Sequence, residues 1–121
     1  MKYMLLIYHD EQGWDALSEA ERQQIYLEYR KLGDELEASG NYVTGSELQP
    51  ITTATSVRVR DGKELVTDGP FAETHEQLGG YFLIEAKDLD EATSIAARIP
   101  SARTGTIEVR PLAEMASEAT A

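Results

Sequence analysis

Residues 3–8, Tyr-Met-Leu-Leu-Ile-Tyr, are apolar at every position, on both of the alternating sets that a strand shows to its two faces. Such a run predicts a central strand covered by helices on one side and by something else on the other. Ser18, followed three positions later by Glu21, is a capping box, and Ile25, Tyr29, Leu32 and Leu36 then recur at helical spacing as far as Gly40. That spacing predicts an amphipathic helix. Residues 41–46 and 53–60 predict strands, the second with Val57 and Val59 on one face and Arg58 and Arg60 on the other. Asp61-Gly62 supplies the two positive-φ positions of a tight hairpin, so residues 64–67 return antiparallel.

Residues 81–86 repeat the opening theme as a second apolar strand. Asp88 with Glu91 signals another helix start, and Ala92, Ile95, Ala96 and Ile99 follow at helical spacing until Pro100 stops them. Ile107 and Val109 then alternate with Glu108 and Arg110 in a last strand. The order is two β-α-β halves with a hairpin inserted between them, which predicts an α+β, ferredoxin-like split β-α-β fold. Residues 1–112 form its single domain, and residues 113–121, with Met115 their only large apolar side chain, are expected to be a flexible tail. Both helices of such a fold lie on one face of the sheet. The other face, carrying half of each apolar strand, is expected to pair with a second copy in a symmetric homodimer.

Composition narrows the chemistry. A chain of 121 residues and 13.4 kDa encloses a core without staples, and zero cysteines exclude disulfides, a thiolate nucleophile, an iron–sulfur cluster and a cysteine zinc site. Eleven Lys and Arg against 22 Asp and Glu leave a net charge of −11. Direct nucleic-acid binding is not expected, because Arg58, Arg60, Arg98 and Arg103 are scattered among acids. The opening apolar run ends at His9, Asp10 and Glu11, too soon for a signal peptide, and no stretch approaches the roughly 20 apolar residues of a membrane helix. A cytoplasmic protein without a membrane partner is the expectation, in keeping with the lack of cysteine. Nucleotide-binding and hydrolase motifs are missing, and neither His-x-His nor His-x-x-x-His occurs, so neither a cofactor nor a metal is expected.

The densest local signal is residues 67–82, Thr-Asp-Gly-Pro-Phe-Ala-Glu-Thr-His-Glu-Gln-Leu-Gly-Gly-Tyr-Phe. With residues 1–8, Val57-Arg58-Val59-Arg60-Asp61-Gly62, Asp88-Leu89-Asp90-Glu91-Ala92 and Glu108-Val109-Arg110-Pro111, it resembles the DGPF group of the YCII-related family over nearly the whole chain. The resemblance implies a bacterial dimeric α/β barrel with no settled general reaction. It also implies an association with an extracytoplasmic-function sigma factor, since similar proteins are often encoded beside one. Simpler YCII-like proteins are held to use a His in the first helix and an Asp just before the proline that ends the second; Tyr29 and Ile99 stand at those places here, so that dyad is not expected.

Two readings of the 67–82 segment stand side by side. As turn chemistry, Asp68 and Gly69 reverse the chain, Pro70 fixes φ, Phe71 plugs a core and Gly79-Gly80 allow close backbone approach. As a site, a rigid loop presents Asp68, Glu73 and His75 at the mouth of a cleft between sheet and helices. His9, at the end of the first strand, is the other acid–base candidate. The candidates are thus Asp68, His75 and His9 for catalysis, and Tyr29, Asp68, Phe71 and Glu73 for binding a small molecule. Where relatives carry Lys at the place of His75, a cationic role is implied rather than a metal ligand. Trp14 is expected to pack over the start of the first long helix, with a pocket lid as the alternative. A small-molecule binder or acid–base enzyme, a non-catalytic module docking a sigma factor, and a purely structural dimer are the three functions these features allow.

Overall fold

The apolar opening run forms β1 (Lys2–His9), and in order follow α1 (Glu11–Asp15), α2 (Glu19–Ala38), β2 (Tyr42–Glu47), β3 (Thr55–Arg60), β4 (Lys63–Asp68), β5 (Gln77–Glu85), α3 (Leu89–Arg98) and β6 (Thr106–Pro111), in a computed structural model that describes residues 1–113. The expected tail therefore lies, beyond Ala113, outside the described residues. The main sheet has the order β2-β5-β1-β6, with every neighbouring pair antiparallel. β1 and β2 consequently run parallel with β5 between them, and β5 and β6 run parallel with β1 between them. That is the split β-α-β arrangement of a ferredoxin-like fold, as the order of elements predicts.

Local chemistry explains the helix boundaries. Ser18 Oγ accepts from the Glu21 amide at 3.1 Å while the Glu21 carboxylate accepts from the Ser18 amide at 2.9 Å, so the capping box closes both ways at the start of α2. Asp88 caps α3 by accepting from the Glu91 amide at 2.9 Å. The inserted hairpin turns on Asp61 and Gly62, both at positive φ, and its strands pair only with each other, Val57 opposite Val66.

Alternation along the central strands sorts their side chains. Tyr3, Leu5 and Ile7 of β1, with Phe82 and Ile84 of β5, are buried against Leu32 and Leu36 of α2 and Ala92, Ile95 and Ala96 of α3. The opposite face pairs Met4 with Leu83 and Leu6 with Tyr81, and all four stay only half-buried. Two details differ from the sequence expectation. Short α1 has no counterpart among the predicted elements; Asp10 caps it by accepting from the Gln12 amide at 3.0 Å. β5 begins at Gln77, not at 81: Gly79 and Gly80 run within the strand, where a Cβ on Gly80 would sit 2.9 Å from the Ser46 carbonyl. Among the described residues, no helix is long and apolar enough to cross a membrane.

Candidate functional site

The inner face of the sheet is not completely filled. Where three glycines interrupt the strands, a cavity of about 250 Å³ opens between β1, β2 and β5 on one side and α1 and α2 on the other. Gly45 sits opposite Phe82, and a side chain there would press on that ring at 2.8 Å. Gly79 is the extra residue of a bulge between Gly80, which pairs with Ile7, and Leu78, which pairs with Tyr8. A Cβ on Gly79 would collide with the His9 imidazole. The His9 ring thus occupies space that Gly79 vacates, which turns it to the cavity side of β1.

Aromatic rings make the walls. Trp14 stands edge-on between His9 and Tyr26, with ring centroids 6.3 and 5.4 Å away. Deeper in, Phe82 is stacked with Tyr29 at 6.3 Å and meets Tyr42 edge-on at 6.1 Å. α1, which carries Trp14, is tied down from three sides. The Gln77 side chain accepts from the Glu11 amide at 3.0 Å, the Glu11 carboxylate accepts from the Ile51 amide at 3.1 Å, and Arg22 donates to the Leu17 carbonyl at 2.7 Å just beyond the helix. Trp14 therefore packs against the first long helix, as expected, and is also a cavity wall.

Polar groups are few and placed. Tyr29 and Ser101 share a 2.7 Å hydrogen bond through their hydroxyls, joining α2 to the turn after α3. Ile99, immediately before Pro100, is fully buried in the core, so the pair at this end of the helices is Tyr and Ser. Burial pushes the Tyr29 hydroxyl above its ordinary value, with the hydrogen bond from Ser101 pulling part of the way back. Tyr26 donates to the Glu47 carboxylate at 3.0 Å and is likewise pushed up, by burial first and by Glu47 second. Both phenols are protonated at neutral pH, so neither serves as a base; Tyr26 donates to Glu47, and either hydroxyl of the Tyr29–Ser101 pair can be the donor.

The raised Tyr29 value has a consequence for stability. A group whose proton is held more tightly in the folded chain contributes in full below its unfolded value, ordinarily 10.0, and loses that contribution as pH rises through the higher folded value. Urea unfolding from neutral pH to about one unit above the ordinary tyrosine value is expected to show an alkaline loss of stability. Tyr29→Phe should remove the part due to this residue, while costing about 1 kcal/mol at neutral pH through the lost bond to Ser101. An unchanged alkaline slope in the variant would show that residue 29 is not its source.

Of the residues that the sequence proposes, the cavity collects His9 and Tyr29. Phe71 lies elsewhere, 80 % exposed, in a second hollow of about 510 Å³ walled by Tyr8, Leu48, Pro70 and Leu78. Asp68, Glu73 and His75 are exposed and line neither hollow. Asp68 closes β4 opposite Thr55, on the hairpin's separate sheet and not on the main one. The second hollow is larger, yet it includes Tyr8 and Leu78 from the outer sheet face and gathers no cluster of rings; the smaller one has convergent rings around the Tyr29–Ser101 hydroxyl pair, the usual form of a ligand site. The signals for Trp14, Tyr26, Tyr42, Glu47 and Ser101 were weak in the sequence, but Tyr26 and Tyr29 on one turn of a helix and glycines at 45, 79 and 80 inside strands are a readable trace of the hollow.

A family model described as YCII-related domain matches residues 1–116. A protein of Rhizobium meliloti (strain 1021), described as uncharacterised, is 38% identical over 115 residues, an alignment that covers 93% of each chain.

Proposed function

The chain belongs to the YCII-related family, and from that premise we propose that it is a homodimeric small-molecule-binding protein whose ligand sits in the aromatic cavity beneath Trp14. One observation carries this reading: five aromatic side chains and His9 converge on a hollow kept open by glycines, with the Tyr29–Ser101 pair at its polar end. If the site also catalyses acid–base chemistry, His9 is the residue suited to accept a proton, and Tyr29 is suited to donate a hydrogen bond to a carbonyl or ether oxygen. A thermal-shift screen of metabolites tests the reading. A ligand should raise the melting temperature by an amount that grows with its concentration. Trp14→Ala and Tyr29→Phe should remove that gain and Asp68→Ala should leave it. The reverse pattern moves the site to the Asp68–His75 loop.

Two features support the homodimer. The outer sheet face offers Met4, Leu6, Leu83 and Tyr81, too apolar to be left to water. The β3–β4 hairpin has the same need, since a lone two-stranded ribbon is marginal in water and its Val57, Val59 and Val66 are 61%, 59% and 61% exposed. Sedimentation velocity at dilute concentration should give a species of twice the chain mass; a stable single chain would remove this part of the proposal. The second reading, a module that docks a sigma factor, draws on the exposed Phe71 and gains if the screen finds no ligand and a purified sigma factor binds in a salt-sensitive way.

A further inference from the structure

We propose that the ligand of the aromatic cavity is an organic cation, an alkylated ammonium on an apolar body, an inference that rests on the reading of this cavity as the binding site. Three observations point the same way. The walls are faces and edges of Trp14, Tyr26, Tyr29, Tyr42 and Phe82, and the negative face of an aromatic ring attracts a cation, an alkylated ammonium most of all where water is excluded. The one carboxylate in the lining is that of Glu47, exposed at the edge of the cavity and accepting from the Tyr26 hydroxyl at 3.0 Å. No Lys or Arg lines the hollow. The two arginines whose charge reaches the lining tyrosines are engaged outside the hollow: Arg103 is paired with Glu28 at 2.6 Å, and Arg22 donates to the Leu17 carbonyl at 2.7 Å.

An anionic ligand would meet the Glu47 carboxylate with the His9 imidazole as its one possible counter-charge in the lining, on a chain of net charge −11. A neutral ring would fit the walls but leave Glu47 unused. A cation uses both, its apolar body lying against the aromatic walls. The Glu47 charge is also felt by the Tyr29 hydroxyl, which it helps to keep protonated.

Trp14 is the sole tryptophan, so its emission reports on this cavity alone. Titrations with phenyltrimethylammonium, benzyl alcohol and benzoate compare one ring with three charges. The cation should bind about tenfold more tightly than the alcohol, benzoate should not bind, and Glu47→Gln, which keeps an acceptor for Tyr26, should erase most of that preference. Equal affinity for cation and alcohol with no effect of Glu47→Gln, or a preference for benzoate, overturns the cation and leaves the cavity standing as a site. Failure of the cavity itself has a different signature: ligands from the thermal screen that bind regardless of Trp14 and Tyr29.

Discussion

Leu36→Ala is expected to lower the free energy of unfolding by about 3 kcal/mol, within the range for emptying a buried leucine site. Leu36 is fully buried on α2, in the cluster shared with Leu5, Ile84 and Ile99, the other large side chains withdrawn from water. That cluster draws on both central strands and both long helices, so it closes only part of the hole left by the missing isobutyl group. Against a total stability of roughly 5–15 kcal/mol, a loss of this size is a large fraction. For a domain of this length it corresponds to a melting temperature lower by about 10 °C. Calorimetry on wild type and variant checks it. A change below about 1 kcal/mol would mean that the site collapses freely and that the helix layer is not the rigid roof of the cavity.

Leu6→Glu should have the second large effect, and on assembly rather than on folding. Leu6 lies opposite Tyr81 on one side and Glu108 on the other, at the middle of the outer sheet face. In the lone chain it is half-buried, so a glutamate there keeps contact with water and the domain should fold. In a two-fold symmetric dimer the same change enters the interface twice. Each carboxylate must then lose its water or pick up a proton, at a cost of several kcal/mol, with Glu108 adding repulsion. The mass in solution should fall to that of one chain while the circular dichroism spectrum stays unchanged. A variant with the mass expected of the proposed dimer would place its subunit contact on another surface.

The order of strands and helices was legible because its signals are local. Capping at Ser18 and Asp88, the Asp61-Gly62 turn and the helical spacing of Leu32 and Leu36 each act over a few residues, and each appears where the pattern puts it. The cavity was less legible because it is assembled across the chain. Tyr29 meets Ser101 from 72 positions away, and Trp14 reaches its place through bonds from Glu11 to Gln77 and Ile51 that no window of sequence contains. The run from Asp68 to His75 is the opposite case. Its turn residues are dense locally, yet the hairpin that they follow pairs only with itself and brings Asp68 and His75 to neither hollow. Glycine at 79 implies a close approach, and the group that approaches is the His9 ring.

A two-dimensional NMR titration of the folded protein with the strongest ligand from the thermal screen locates the site directly. Shifts centred on the amides of Gly45, Gly79 and Gly80 and on the Trp14 indole are the expected result. Shifts confined to residues 68–75, with the Trp14 indole unmoved, would contradict it.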